Sequence, residues 1–276
     1  MDPKNAKYWC YRRAIHHINR DYELAIADKT KAIELDPKNA NYWLSRGASY
    51  NNKGDYNHAI ADVSEAIELD PENAKYWYSR GGSYRNKGDY NHAIADVSKA
   101  IELDPKSAEY WYFRGVSCHL KGDYDRAIAD VSKAIELDPE NAKYWYFRGV
   151  SHQEKGNCTI IDVSKAIELD PEDAEYWYFR GASYHHVKGD YDHAIADASK
   201  AIELDPENAK YWYSRGGSYF QKRDYDHAIA DNSKAIELDP KNAEYWWARG
   251  TSYRAKGDTC RSSADFDMGR KLENKG

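Results

Sequence analysis

No run of about 18 apolar residues occurs anywhere in the chain, so the sequence holds no candidate membrane-spanning helix. The opening residues Met1-Asp2-Pro3-Lys4 lack the apolar segment of a secretory signal. Cysteine is scarce: Cys10, Cys118, Cys158 and Cys260 show neither metal-type nor paired spacing, which predicts free thiols and a reducing, cytoplasmic setting. There is no basic excess. The formal net charge is −6, which argues against nucleic acid as a partner. Proline is absent outside one dipeptide, Asp-Pro, which uses all eight prolines.

What is present is aromatic. The 276 residues include 25 Tyr and 9 Trp, although mean hydropathy is only −0.95. Disordered chains are poor in aromatics, so this chain is expected to fold by burying rings more than aliphatic side chains. The Asp-Pro dipeptide recurs at Pro3, Pro37, Pro71, Pro105, Pro139, Pro171, Pro206 and Pro240, at intervals of 34, 34, 34, 34, 32, 35 and 34. A period of that size belongs to a solenoid, in which each unit buries its apolar face only by stacking on its neighbours. The repeats run over about 6–39, 40–73, 74–107, 108–141, 142–173, 174–208, 209–242 and 243–276, and form one continuous array.

Each repeat reads as two helices. In the second repeat Asn39 caps the helix that begins Ala40-Asn41-Tyr42-Trp43, and Gly54 ends it in a conformation cheap only for glycine. Asp55 caps the next helix. There Tyr56, Ala59, Ile60, Val63, Ala66 and Ile67 follow the i, i+3, i+4, i+7 spacing of one buried face. Asp70-Pro71 ends it, because a residue before proline avoids the helical region. The run Trp43-x2-Arg46-Gly47-x2-Tyr50…Ala59-x3-Val63…Pro71 resembles the tetratricopeptide repeat, with its Trp-x2-Leu-Gly-x2-Tyr…Ala-x3-Phe…Pro pattern. The resemblance implies an all-α, right-handed superhelical solenoid of antiparallel helix-turn-helix repeats. In it, first helices line a concave groove and second helices form the back. It also implies a scaffold for a protein or peptide partner, without catalysis or cofactor.

The sequence departs from that pattern in three places. The Leu is Arg in every repeat (Arg12, Arg46, Arg80, Arg114, Arg148, Arg180, Arg215, Arg249), and the second helix carries a matching Asp (Asp28, Asp62, Asp96, Asp130, Asp162, Asp197, Asp231, Asp265). One Asp per Arg predicts a repeated structural ion pair that specifies stacking register, in preference to an arginine row gripping an acidic ligand. The end repeats carry polar replacements, Arg13, His16, His17 and Arg20 at one end, Ser262, Ser263, Gly269, Arg270 and Lys271 at the other, which read as caps. No further capping helix follows, so head-to-tail stacking into longer superhelices is the alternative function. The fifth repeat is two residues short and lacks the tyrosine equivalent to Tyr124, which predicts a kink or soft point at 156–162. The sixth gains one residue around His185-His186-Val187-Lys188.

The first-helix face turned away from the second helix carries a ladder of rings: Tyr78, Tyr112, Tyr146, Tyr178, Tyr213 and Trp247, joined by Phe113, Phe147 and Phe179. Tyrosine offers contact area with a polar tip at low entropic cost, so these nine residues are the expected peptide-binding groove. The carboxylate-clamp members of the family place Lys and Asn there, whereas Tyr78, Gly82, Phe113 and Val116 stand here, which sets that mode aside. Helices about 8–10 Å apart match about three residues of an extended or polyproline ligand rising roughly 3.1–3.3 Å per residue. A proline-rich segment of three-residue period would fit. The rim charges alternate (Lys75, Glu109, Lys143, Glu175, Lys210, Glu244), which predicts rung-to-rung pairing and no field to follow a phosphate backbone. No nucleophile elbow, phosphate loop, His-Glu-x-x-His or calcium loop appears. Acids and bases recur with the repeat, and His58, His92, His193 and His227 stand on separate rungs, too far apart to share a metal. No catalysis and no metal site is expected.

Overall fold

The computed structural model describes residues 22–157 and 160–274. Among the described residues the regular elements are helical, and they fall into two compact units, one ending at Pro139 and one beginning at Glu140. The first unit contains α1 (Tyr22–Leu35), α2 (Ala40–Lys53), α3 (Tyr56–Leu69), α4 (Ala74–Asn86), α5 (Tyr90–Leu103), α6 (Ala108–Leu120) and α7 (Tyr124–Leu137). The second contains α8 (Ala142–Glu154), α9 (Ile160–Leu169), α10 (Ala174–Ser183), α11 (Tyr191–Leu204), α12 (Ala209–Gln221), α13 (Tyr225–Leu238), α14 (Ala243–Ala255) and α15 (Thr259–Glu273). Within each unit consecutive helices pack as hairpins, and each hairpin packs on the next, as the 34-residue period predicts.

Local chemistry sets the boundaries. The Asn39 side chain accepts from the Asn41 backbone N–H, and the Asp55 side chain accepts from that of His58. Gly54 closes α2 at φ 87°, and Asp70 closes α3 at φ −151° and ψ 81°, outside the helical region, immediately before Pro71. In the seventh repeat Arg223 takes the glycine's place at φ 63°. Tryptophans tie each loop to the helix that follows: Trp43 Nε1 donates to the Pro37 carbonyl at 2.9 Å and Trp77 Nε1 to that of Pro71 at 2.8 Å.

The core is thin and repeated. Ala59, Val63, Ala66 and Ile67 of α3 are buried, with Ala93, Val97, Ala100 and Ile101 as their equivalents in α5. Tyr76 of the next first helix closes the cluster built on Val63 and Ile67. Close approach of paired helices explains one glycine: a Cβ on Gly81 would stand 2.8 Å from Val97 Cγ2 and 3.2 Å from the Ala93 carbonyl oxygen.

The irregular repeats are absorbed locally. In the fifth, the bidentate Arg148–Asp162 pair survives at 2.9 and 2.7 Å, although the two residues stand 14 apart in sequence, not 16. The expected soft point at 156–162 falls partly outside the described residues. In the sixth, the extra residue becomes a single π-helical turn, Tyr184–Lys188, closed by Gly189 at φ 62°, and Arg180 still reaches Asp197 at 2.8 Å. The expected N-terminal cap residues Arg13, His16, His17 and Arg20 lie outside the described residues, as does Arg12 of the arginine row.

Candidate functional site

The arginines are used internally. In the fourth repeat Arg114 Nε and Nη2 donate to the two oxygens of Asp130 at 2.8 and 2.7 Å. Nη1 donates to Ser98 Oγ of the preceding repeat at 2.9 Å, and the guanidinium carbon lies 4.9 Å from the Trp111 ring centroid. Arg46, Arg80, Arg180, Arg215 and Arg249 each repeat this arrangement, with Thr30, Ser64, Ser164, Ser199 and Ser233 as the hydroxyl partners. The ion pair therefore lies within one repeat, and a hydroxyl links it to the neighbour. The Asp130 carboxylate raises the Arg114 guanidinium above its ordinary value against the opposing effect of burial. Three of the five guanidinium N–H groups are thus held by internal acceptors, which builds this row into the packing of the repeats.

The predicted ring ladder is half-buried. In the first unit the Tyr78 ring lies 5.0 Å from Tyr110 and 4.9 Å from Phe113, and its hydroxyl donates to Glu109 Oε1 at 2.7 Å. Burial, with Glu109 adding to it, pushes the Tyr78 phenol far above its usual range. Tyr112 is half-buried, and burial raises its phenol too. Phe113 itself is only 8% exposed and sits under the Arg85 guanidinium at 3.9 Å, so it supports the ladder from below.

In the second unit Tyr146 tilts onto Tyr176 at 4.8 Å, Tyr178 onto Tyr211 at 5.1 Å and Tyr213 onto Tyr245 at 5.1 Å. Phe179 meets Tyr146 edge-on at 5.3 Å, and Phe147 is half-buried beside it in sequence. Each ring thus gives one face to the next repeat and keeps the rest at the surface. Trp247 differs. Its indole instead folds onto α15, over the bare backbone of Gly269.

The rim charges do not pair rung to rung as the alternation predicts. Glu109 accepts from Tyr78 and Glu175 from the Tyr211 hydroxyl at 3.3 Å, so tyrosines take the place expected of lysines. The four histidines stand at one register position. Each stacks on a tyrosine of its own repeat and bonds the aspartate capping its helix, as His92 does with Tyr84 (5.0 Å) and Asp89 (2.7 Å). Among the described residues no cluster of three or more His, Cys, Asp or Glu could hold a metal ion, and no helix is long and apolar enough to cross a membrane.

One register position is not apparent from the motif alone. The valine of the second, third, fourth and fifth repeats (Val63, Val97, Val131, Val163) is Lys29 in α1, Ala198 in α11, Asn232 in α13 and Phe266 in α15. Lys29 is buried and satisfied, with Nζ bonded to the Ser45 carbonyl at 2.7 Å and to Ser49 Oγ. Asn232 is not. Setting the repeats side by side, column by column, is the signal that reveals these substitutions, of which Lys29 and Asn232 are the polar ones. A cavity of about 280 Å³ opens beside Asn232 in the second unit, with Tyr178 and Tyr213 of the ladder in its wall.

Comparison with known proteins agrees with this architecture. The sequence matches the tetratricopeptide repeat over residues 40–73 and 209–242, and further profiles of the same repeat over 78–142, 120–157 and 185–222. Among curated proteins none matches the sequence. Among solved structures, the C-terminal part of a tetratricopeptide-repeat protein from Cytophaga hutchinsonii is similar at a TM-score of 0.70, with 20% identity, covering 87% of this chain and 98% of that one. MamA is similar at 0.55 with 29% identity, covering 60% of this chain and 97% of its own. YrrB, described as a tetratricopeptide-repeat protein with an unusual peptide-binding site, is similar at 0.56 with 22% identity, covering 68% and 97%. Eight Asp-Pro-punctuated repeats, capped helix pairs stacked in tandem and these matches together place the chain in the tetratricopeptide repeat family.

Proposed function

We propose that this chain is a non-catalytic protein–protein interaction scaffold whose first-helix aromatic face binds an extended peptide or partner segment. The observation that carries the reading is the division of labour along that face. The arginines, aspartates and histidines are consumed by internal pairs, while Tyr146, Tyr178 and Tyr213 each keep part of their ring at the surface, held in place by the next repeat. A rigid ring with a polar tip loses little entropy when it makes a contact. YrrB, with its peptide-binding site, supports the class of function but not the ligand. The rung spacing favours a ligand with a three-residue period, proline-rich in the simplest case.

Titration of the chain with a proline-rich peptide and with its scrambled counterpart tests this. Binding of the ordered peptide, weakened on the order of tenfold by each of Tyr146→Ala, Tyr178→Ala and Tyr213→Ala, is the expected result. Equal weak binding of both peptides would overturn it.

A further inference from the structure

Three positions of the seventh repeat, Ser214, Gly217 and Asn232, converge on one cavity of the second unit; the third repeat shares the first two as Ser79 and Gly82, but there Phe113 of the following repeat stands over Gly82, and Val97 replaces Asn232. Where the fourth to sixth repeats carry Phe113, Phe147 and Phe179, the seventh and eighth carry Ser214 and Ala248. Where the fourth and fifth carry Val116 and Val150, the seventh carries Gly217. Loss of these side chains leaves a space of about 280 Å³ walled by the rings of Tyr178, Tyr213 and Phe220. That is just below the usual range of small-ligand sites, roughly 300–1,000 Å³, and suits a single ring system. No Asp, Glu, Lys or Arg lines it, so a charged group would enter without compensation.

The lining holds several polar side chains, Gln221, Thr251 and Ser252 among them, and one buried amide oxygen that is unpaired among the described residues. Asn232, 1% exposed, lies under the bare backbone of Gly216, and its Oδ1 has no hydrogen-bond partner among the described residues. Beside it, His185 Nδ1 stands 2.8 Å from Ser218 Oγ, which also lies 3.2 Å from the Ser214 carbonyl oxygen, and burial, with His186 adding to it, lowers the His185 pKa. An unpaired buried amide oxygen has a cost, and the valine of four other repeats would avoid it.

We propose that this cavity binds an uncharged aromatic group bearing an N–H donor, of the size of an indole, with the N–H directed to the amide oxygen of Asn232. The inference rests on the scaffold reading in one respect only: the natural source of the group would be a tryptophan side chain of the bound segment. The cavity itself needs no peptide.

The test uses the full chain and two probes, N-acetyl-tryptophanamide and its benzothiophene analogue, which has sulfur in place of the N–H. Expected is saturable binding of the indole, at least about tenfold tighter than of the analogue. Asn232→Val should erase that preference while raising the melting temperature, since it restores the residue of Val131 and removes an orphaned polar group. Gly217→Val, which copies Val116, should block both probes; a Cβ there meets nothing nearer than His185 Cε1 at 3.9 Å, so the fold survives. Equal binding of the two probes, an indole affinity unchanged by Asn232→Val, or no saturation at millimolar probe would each overturn the proposal. A tryptophan-containing pentapeptide separates the two readings. If free indole binds and no peptide gains on it, the cavity stands and the scaffold reading falls. If peptides bind with no tryptophan preference, the scaffold stands and the cavity assignment falls.

Discussion

Arg114→Leu installs the family's own residue at this position, yet it should be among the most damaging single changes in the first unit. The leucine keeps an apolar stem against Trp111. It removes both donors from Asp130, which is 6% exposed and would be left as an uncompensated buried carboxylate. Breaking a buried pair from one side costs about 3–5 kcal/mol. The loss of the stacked guanidinium over Trp111 adds about 0.5–1 kcal/mol. Ser98 contributes little to the loss, because its hydroxyl already donates to the Ile94 carbonyl at 2.7 Å. The double change Arg114→Leu/Asp130→Leu removes both charges and should return to within about 1 kcal/mol of the parent. Repeat arrays unfold locally, so the readout is native-state hydrogen exchange of amides in α6 and α7, with α2 and α3 as internal controls. The single variant should expose α6 and α7 amides preferentially, and the double should protect them again. A single-variant cost below about 1 kcal/mol, or a double variant worse than the single, would refute the reasoning that the two charges depend on each other.

Three further outcomes are expected. The neighbouring glycines of α4 should respond with opposite sign. Gly81→Ala drives a methyl into Val97 and should cost about 1–3 kcal/mol in urea denaturation, while Gly82→Ala, whose Cβ would meet Phe113 Cζ only at 3.8 Å, should gain up to about 1 kcal/mol. Stability should fall in acid. Bonds from the His58 ring, and from the backbone N–H groups of His92 and His193, hold Asp55, Asp89 and Asp190 below the usual carboxylate range. A depressed folded-state pKa gives stability that is present above the unfolded value and is lost as pH falls through the folded one. The melting temperature should therefore be flat near neutrality and decline below about pH 4, less steeply in Asp89→Asn. Burial pushes the Cys118 thiol up to about 11, so at pH 8 iodoacetamide should label exposed Cys260 and leave Cys118 unmodified by peptide mass spectrometry.

The repeat makes the fold legible in the amino-acid sequence. Asp-Pro spacing, Asn and Asp caps and the Ala-Ile-Val face together determine where each helix begins, ends and buries itself. Matching numbers of Arg and Asp point correctly to the ion pairs, but not to the hydroxyl of the preceding repeat, because a single serine on a helix carries no sign of what reaches it across an interface. The insertion in the sixth repeat is visible as an extra residue. That it becomes a π turn is not, since the outcome depends on keeping Arg180 opposite Asp197. The rim charges mislead, because alternation in sequence does not reveal that the tyrosine hydroxyls bond Glu109 and Glu175 in place of the lysines. Asn232 is hidden for a different reason: one residue changes the chemistry of the floor, and the space above it comes from what Ser214, Gly217 and Ala248 lack.

The most direct test of the scaffold account is a hydrogen-exchange footprint with a bound peptide. Peptides selected from a random library on the full chain should slow exchange in the first helices, α8, α10 and α12 in the second unit, and leave α11 and α13 unchanged. The Tyr146→Ala/Tyr178→Ala/Tyr213→Ala variant should abolish the protection. Protection confined to the second helices, or a footprint that persists in the triple variant, would contradict the account.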